Sequence, residues 1–454
     1  MHAEIRSGTP GGRLGFASCV MLLVGAMIGS AIFSLSGMTM YAAGPAAAIS
    51  WLLAGAVMLM QGLGMAELSC RFPHSGGVYV FPRAAFGGRT GRLLGWMSCW
   101  GSIVTNVIAV AFSAIYVGQY LGVSFPWANG LQIPLALLSI LLCLGLNAMS
   151  ISLAGKFNAI LVLALLGTLL AYISAAFFGG AYDATQLRPF FSQGNGGMTG
   201  FLGAIPIAII GYSGIVTLAF IVSEIRDANR TVPRAMATAI GIVIAVYLLV
   251  IFATMGLVTA KYLDENPGMR FIPIFCACAR RLPECRWLQP MVSVSAVLAL
   301  LTTMLACITV NAHAIRAASE DGTIPAFLAR RSRYGTPALA SLLFCLATML
   351  CSCFPQFTMQ MVNFGALFNT ITITITMVAF LKARQPNASS YDGFRAPGHT
   401  AIYCLVLVAL LACNAGGILA GGSKLCLFTL IVMGAGMLLL LRSPTHDTPF
   451  APKR

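Results

Sequence analysis

Long apolar segments recur along the whole chain, and short polar or glycine-rich segments separate them. A helix needs about 20 apolar residues to cross the hydrocarbon core of a bilayer. Twelve segments meet this length, so the pattern predicts an all-α membrane protein with twelve membrane-spanning helices. The predicted spans are residues 16–41, 43–70, 93–121, 131–149, 157–178, 201–223, 235–260, 288–314, 338–354, 357–382, 401–420 and 425–441.

Two of these segments are interrupted by small and polar residues. Residues 24–37 read VGAMIGSAIFSLSG, and residues 205–213 read IPIAIIGYS. Small residues also permit close packing of unbroken helices. A helix that opens inside the membrane, however, frees backbone N–H and C=O groups that need polar partners. Two interrupted helices in corresponding places indicate a transporter site near the midplane of the bilayer.

The interrupted segments are the first and the sixth, so the repeating unit has five spans. Because five is odd, the second unit enters the membrane upside down, which predicts a 5+5 inverted repeat with discontinuous helices 1 and 6 and two extra C-terminal helices. The predicted divisions are an N-terminal tail (1–15), a first repeat (16–180), a second repeat (199–384), helices 11 and 12 (399–441) and a C-terminal tail (442–454).

Composition limits the function classes. The chain is 58% hydrophobic and 9% charged, whereas soluble domains are about 25% charged. Most of its 27 basic residues fall in short loops that the topology places inside, so both termini are expected to be cytoplasmic. Loop charges of this kind do not form a nucleic-acid-binding face. The first apolar run has no small-residue cleavage site, so we expect a retained span in a plasma membrane, that of a bacterial inner membrane.

Catalysis and metal binding find little support. The motifs G-x-S-x-G and H-E-x-x-H do not occur, and the five histidines form no H-x-x-x-H. Most of the 14 cysteines lie in apolar spans, where they act as small hydrophobic residues. Cys276, Cys278 and Cys285 share one loop, and the sequence favours a packed amphipathic helix there over a metal site or a disulfide. We therefore predict no enzyme activity, no metal and no cofactor.

The interruptions suit an α-amino acid. The second half of span 1 begins near Ser30 and Ala31, where free N–H groups and the positive end of a helix dipole favour a carboxylate. The first half of span 6 ends near Ile210 and Gly211 with free carbonyl groups, which favour an amine. No charged side chain is needed for this recognition.

Four motifs resemble those of the amino acid–polyamine–organocation (APC) superfamily. GAMIGSAIF is similar to its GxxIGxGIF signature, and residues 65–87, MAELSCRFPHSGGVYVFPRAAFG, resemble its acidic helix end followed by a Gly-Gly turn. SEIRDANRTVPRA (223–235) and ASEDGTIPAFLARRSRYGTP (318–337) resemble two cytoplasmic loops of the superfamily. The resemblance implies the inverted-repeat fold of that superfamily, alternating access, and an amino acid or related amine as substrate.

The resemblance also implies a set of substrate-binding residues. These are Ile28, Gly29, Ser30 and Ala31 on the carboxylate side and Ile210, Gly211, Tyr212, Ser213 and Gly214 on the amine side. Ala31 replaces a glycine of the signature, and its Cβ narrows the space beside the substrate. Span 6 lacks the aromatic residue that relatives place before the glycine as a lid, and Tyr212 is the candidate substitute.

Further candidates lie on other spans. Ser102, Asn106, Thr302 and Thr303 are candidate cavity contacts, although Asn106 is more simply explained by a structural bond between helices. A cytoplasmic gate is predicted from Glu67 and Glu224 with basic partners. The candidate partners are Arg71, Arg83, Arg226 and Arg230.

The sequence predicts a secondary active transporter of amino acids, and of neutral ones because the spans offer no carboxylate to a cationic side chain. A basic amino acid or polyamine antiporter and a non-transporting amino acid receptor are the alternatives. Leu165 stands where proton-coupled relatives carry a lysine in span 5. Proton coupling, sodium coupling and exchange without an ion all stay open at this point, as does the oligomeric state. The expected partners are the substrate and membrane lipid.

Overall fold

Apolar helices make up most of the computed structural model. It describes residues 14–74, 76–147, 151–191, 197–329, 338–385, 391 and 393–441, apart from the side chains of 151–158, 223, 326, 329, 338, 417–426 and 441. The predicted tails lie outside these residues except for Leu14 and Gly15, and so does most of the second half of the 318–337 motif. No β-strand occurs in the described part of the chain.

Sixteen α-helices are described. They are α1 (Phe16–Ser30), α2 (Ser36–Ala43), α3 (Ala47–Arg71), α4 (Val80–Phe86), α5 (Gly88–Ser124), α6 (Gln132–Asn147), α7 (Ile151–Phe178), α8 (Met198–Gly211), α9 (Thr217–Phe220), α10 (Ala228–Met255), α11 (Ala260–Glu265), α12 (Pro273–Arg281), α13 (Leu288–Glu320), α14 (Ala338–Ser352), α15 (Thr358–Ala383) and α16 (Thr400–Leu441).

Seven helical stretches among the described residues are long and apolar enough to cross a membrane, and four shorter apolar helices accompany them. Helices can cross because each satisfies its own backbone hydrogen bonds in hydrocarbon. The first stretch, Phe16–Arg71, holds two of the predicted spans. Gly44, with φ of 62°, and Pro45 separate these two, because glycine adopts a positive φ without strain and proline starts the next turn.

The helix α5 lies at the centre of the packing and contacts α13, α15 and α6, while α3 packs on α10 and α8. The first helix packs on α10, α13 and α7. The length of α3 separates two ends of the molecule. We name them the Glu67 end, after a residue near the end of α3, and the Arg270 end, where Arg270 stacks on Tyr41 just before α3.

The helix α16 continues from Thr400 to Leu441, where two separate helices were predicted. Its described parts nevertheless run in opposite directions along α15 and α5, which are antiparallel to each other. The contacts that show this are Tyr403 with Phe380, Asn414 with Thr374, Trp100 with Val432, Trp96 with Gly436, and Thr372 with Ser98. The element therefore consists of two antiparallel parts, linked through residues 417–426.

The loop between α10 and α13 carries several basic residues and packs over the Arg270 end. Arg270 lies 3.7 Å from the centre of the Tyr41 ring and donates to the carbonyl oxygen of Leu263 at 2.7 Å. Arg280 lies 4.1 Å from the Tyr262 ring centre. The positive charge of this loop is thus used in local cation–π and hydrogen-bond contacts.

Two of the three cysteines of this loop lie in an amphipathic helix of the kind that the sequence favoured, whereas Cys285 ends the 3₁₀ turn that follows it. Cys276 and Cys278 are buried on α12, and burial raises the pKa of the Cys278 thiol to about 12. A thiol in this environment stays protonated at neutral pH and is therefore a poor nucleophile. No group of three or more metal-ligating side chains occurs among the described residues.

Candidate functional site: two helix breaks that meet

The first break lies between α1 and α2. Gly29 has non-helical dihedral angles (φ −3°, ψ −121°), and residues Ala31–Leu35 form a π-helical turn before α2 begins. A Cβ atom on Gly29 would overlap the hydroxyl group of Thr303 on α13. Only glycine therefore allows α13 to approach the opened backbone so closely.

Thr303 also satisfies an amide group that the break leaves without an ordinary helical partner. The N–H group of Ser30 donates to Thr303 Oγ1 at 3.1 Å, and the Thr303 hydroxyl donates to the Ala299 carbonyl oxygen at 3.1 Å. The neighbouring Thr302 hydroxyl donates to the same carbonyl oxygen at 2.8 Å. The N–H end of the first break is thus bound to α13 in this structure.

The second break follows α8. Tyr212 (φ −104°, ψ 0°) caps α8, Ser213–Val216 form a 3₁₀ turn, and α9 continues the chain. The Ser213 hydroxyl donates to the Ile210 carbonyl oxygen at 2.7 Å. This local bond satisfies one of the carbonyl groups that the end of α8 leaves open.

Two glycines bring the breaks into contact. A Cβ atom on Gly211 would lie 3.3 Å from the Cβ atom of Ala31 and 2.6 Å from the Trp51 ring. A Cβ atom on Gly214 would lie 2.5 Å from the backbone of Ala26. Larger side chains at either glycine would push the two broken helices apart.

Tyr247 on α10 joins the two breaks, and sequence analysis did not identify it. Its hydroxyl group lies 2.5 Å from the Met27 carbonyl oxygen and 2.9 Å from the Gly211 carbonyl oxygen, and its side chain is fully buried. One hydroxyl therefore serves the carbonyl ends of both half-helices. A tyrosine alone in an apolar span needs a hydrogen-bond partner, and this is the signal that could have identified it.

The candidate lid residue Tyr212 lies in a closed aromatic cluster. Its hydroxyl donates to the Trp51 carbonyl oxygen at 3.0 Å, and its ring centre lies 5.1 Å from that of Tyr247. The Trp51 indole donates to Thr39 Oγ1 at 2.8 Å. The Tyr212 ring is fully buried in this arrangement and belongs to the packing that supports the breaks.

Of the remaining candidates, Ile28 and Ser30 lie at the first break, and Ser102 and Asn106 lie on α5. Ile28 is fully buried beside Gly29, whereas the Ser30 side chain is half-buried. On α5, Asn106 donates to Ser102 Oγ at 3.2 Å, one turn earlier on the same helix, so the bond between helices that we expected for Asn106 is replaced by a local one. No described contact joins this pair to either break.

Glu67 forms a cluster at the Glu67 end. Its carboxylate lies 2.8 Å from an Arg71 guanidinium nitrogen and 3.4 Å from one of Arg384, and it accepts the Ala396 N–H group at 2.8 Å. Arg71 also donates to the Ala383 carbonyl oxygen at 2.8 Å. The cluster therefore ties α3 to α15 and to the segment before α16. Sequence reasoning did not identify Arg384.

Arg83 pairs with Asp321, so the expectation that it would pair with Glu67 or Glu224 is wrong. Its Nε atom lies 2.8 Å from the Asp321 carboxylate, both side chains are almost fully buried, and the Tyr79 hydroxyl donates to the same oxygen. The cause is the position of α4, whose preceding Gly77 (φ 44°) packs on Phe220 and sets Arg83 against the end of α13.

Glu224 lies close in space to Leu14, which precedes the start of α1 by two residues. The Leu14 N–H group donates to the Glu224 carbonyl oxygen at 2.9 Å, and the Arg226 N–H group donates to the Leu14 carbonyl oxygen at 3.0 Å. Burial raises the pKa of the Glu224 carboxyl group, and the charge of Arg316 opposes this shift. Arg226 itself lies 4.0 Å from Asp227 with both side chains exposed, which makes it a weak ion pair.

Arg230 contributes to a pocket of about 400 Å³ at the same end. Ser69, Cys70 and Asp227 also line this pocket.

The amino acid permease family matches residues 14–446. An uncharacterized transporter of Mycobacterium tuberculosis is 30% identical over 331 residues, which cover 73% of this chain and 71% of that protein.

Two further relatives have named substrates. The serine/threonine exchanger SteT of Bacillus subtilis is 26% identical and covers 55% of this chain and 56% of its own length. The branched-chain amino acid permease BcaP of the same species is 24% identical and covers 87% of each chain. The match and the apolar helices identify a multi-pass membrane protein of amino acid transport. The chain belongs to the amino acid permease family, within the APC superfamily.

Proposed function

We propose that this protein moves neutral amino acids across the plasma membrane by alternating access, as an exchanger or an ion-coupled carrier. The observation that carries the proposal is the contact between the two helix breaks, where Gly211 faces Ala31 and Tyr247 contacts carbonyl groups of both half-helices. Opposed helix ends of this kind offer both N–H donors and carbonyl acceptors to a zwitterion.

In this proposal the substrate replaces bonds that the protein makes with itself. The carboxylate competes with Thr303 for the Ser30 N–H group, and the amine competes with Tyr247 for the Gly211 carbonyl oxygen. The described residues of 16–43 and 198–220 contain no acidic side chain. A cationic side chain would therefore find no counter-ion there, which favours neutral substrates over a basic amino acid or polyamine.

The topology we propose has twelve crossings, a 5+5 inverted repeat (16–180 and 199–384) and two further crossings in 399–441. Three features support it. The breaks lie in the first helical segment of each proposed repeat. Four apolar helices, α3, α5, α6 and α7, separate α1 from α8, and the described parts of α16 run antiparallel. The basic residues of the short loops favour a topology in which the Glu67 end and both termini are cytoplasmic.

The Glu67 end would act as the cytoplasmic gate. The predicted members are Glu67, Arg71, Glu224 and Arg230, with Arg83 as a further candidate partner. The contacts of Arg384 with Glu67 and of Asp321 with Arg83 argue for adding these two residues. Both charge clusters join elements that are distant in sequence. Opening this end requires that they separate.

Exchange is the coupling mode that we favour. Leu165, at the position of the lysine in proton-coupled relatives, is buried and apolar. The hydroxyl groups of Thr302 and Thr303 already donate to a carbonyl oxygen of their own helix. Neither arrangement supplies a titratable group or a set of open oxygen ligands beside the breaks.

Counterflow into reconstituted vesicles tests the proposal. Vesicles loaded with one unlabelled amino acid should accumulate the same labelled amino acid, with neutral members of a panel preferred over lysine, arginine and putrescine. An absence of counterflow for the whole panel would favour a receptor. A requirement for a proton or sodium gradient would contradict exchange without an ion.

Gly29→Leu tests the first break directly. The new side chain would overlap Thr303, so counterflow should be lost while the protein stays inserted in the membrane. Gly167→Leu on α7 is the matched control, because a Cβ atom there meets nothing within 4 Å. Normal counterflow by the Gly29 variant would remove the first break from the site.

A further inference from the structure

A large apolar groove lies apart from the helix breaks, on the side of the molecule formed by α5, α13, α14, α15 and α16. Its volume is about 1040 Å³. We call it the lateral groove. Its walls include Trp96, Trp100, Leu343, Phe344, Phe364 and Phe428.

The walls of the lateral groove offer almost nothing to water. Of its 23 lining residues, Gln360 and Asn363 are the ones with amide side chains, and the others are apolar apart from a cysteine and the indole groups. The indole N–H group of Trp96 donates to the Gly436 carbonyl oxygen at 2.7 Å, and that of Trp100 donates to Val432 at 2.9 Å. Because a cavity holds water only where polar partners are present, the natural occupant is apolar.

Several residues that line the lateral groove are themselves exposed, so the groove opens on the surface of the molecule. On α14, Leu343 is 49% exposed; on α16, Phe428 is 52% exposed and Leu439 is 48% exposed. In a multi-pass membrane protein such surfaces contact lipid chains. The groove is therefore continuous with the lipid-facing surface, and its occupant enters from the bilayer.

Positive charge lies at one end of the lateral groove. Arg92 and Arg89 precede Trp96 on α5 by four and seven residues, which places them about one and two turns closer to the Glu67 end on the same helix face. Arg89 is exposed. A phosphate group at the membrane surface would be attracted to these guanidinium groups.

We propose that the lateral groove binds one acyl chain of an anionic phospholipid, whose headgroup lies beside Arg89 and Arg92. The chain fills the space between α5, α14 and α16, and it covers the indole rings that hold α16 to α5. The site is separate from the substrate site, so it stands or falls independently of the transport proposal.

Lipid retention in detergent tests this proposal. Purified full-length protein is mixed with a small molar excess of phosphatidylglycerol, and native mass spectrometry counts the bound lipid. Ala347→Phe places a ring inside the groove, whereas Leu346→Phe, on the same helix, points a ring at the bilayer. Displacing as few as two methylene groups should lower retention about tenfold in the first variant. The second variant should retain lipid as the wild type does.

Each other outcome is informative. Equal retention by both phenylalanine variants would overturn the proposal. It would also be overturned if the wild type proved to be a dimer that Ala347→Phe separates without loss of lipid, since a second copy of the chain would then be the occupant. If Ala347→Phe fails to fold, Leu439→Trp fills the same groove from the half-exposed edge of α16. Arg89→Gln should weaken retention of phosphatidylglycerol but not of phosphatidylethanolamine, and equal effects on both would refute the headgroup assignment.

Discussion

Removing the hydroxyl group of Tyr247 tests how the two helix breaks hold each other and the substrate. Tyr247→Phe deletes one oxygen atom and leaves the ring in place against Trp51 and Tyr212, whose ring centres lie 4.6 Å and 5.1 Å away. Packing is therefore retained. What is lost is the contact with the carbonyl oxygens of Met27 and Gly211.

The magnitude follows from the burial of these groups. A buried acceptor that loses its donor costs about 1–3 kcal/mol, and one hydroxyl hydrogen supplies about one bond in total. The substrate-free protein should therefore lose about 1–3 kcal/mol of stability. If the amine of the substrate then binds the Gly211 carbonyl oxygen, the loaded protein recovers the part of this loss that belongs to Gly211, whereas Met27 still lacks its donor. Substrate affinity should therefore rise by a factor below about 150, the upper value that full recovery would give.

Thermal unfolding in detergent, with and without an amino acid that shows counterflow, measures both terms. Tyr247→Phe should lower the apparent Tm of the empty protein and increase the rise in Tm that the amino acid produces. Tyr172→Phe is the matched control, because this tyrosine is equally buried and its hydroxyl contacts Thr254 at 2.8 Å, a pair that no described contact joins to the breaks. It should lower both Tm values equally.

The same result in Tyr247→Phe would refute the reasoning. Equal destabilisation of the empty and loaded protein would mean that the hydroxyl group only supports the fold. The Gly211 carbonyl oxygen would then not be the acceptor for the amine. Weaker binding in the variant would point to a direct contact between the Tyr247 hydroxyl and the substrate.

The charges at the Glu67 end give two further predictions. Asp321→Asn leaves the buried Arg83 without its carboxylate and should destabilise the protein by about 3–5 kcal/mol. Asp264→Asn, in an exposed pair, should cost about 1 kcal/mol or less. Equal losses of Tm in the two variants would contradict the difference in burial. The fold raises the pKa of Glu224, so the protonated carboxyl group contributes to stability. This contribution should be complete below the ordinary pKa of 4.5 and should be lost as pH rises through the raised pKa. Glu224→Gln should remove this dependence of Tm on pH, and an unchanged slope would assign it to another group.

Hydropathy alone predicted the helical character of the chain, because hydrocarbon admits few other backbone arrangements. Gly29 and Gly211 could also be identified, since small residues in an apolar run are a local signal. The groups that satisfy the breaks were not predictable in this way. Tyr247 and Met27 are 220 residues apart, and Arg83 and Asp321 are 238 apart. Which side chain reaches a freed backbone group depends on how distant helices pack.

The backbone of Leu14 pairs with that of Ile225, and this pairing limits how the half-helices can move relative to each other. Its two backbone hydrogen bonds fasten the start of α1 to the chain that leaves α9, so the half-helices of both breaks share one anchor at the Glu67 end. A rotation of either half-helix therefore moves the other half-helix with it or breaks these two hydrogen bonds. Deleting the chain through Leu14 would remove these two hydrogen bonds and so uncouple the half-helices.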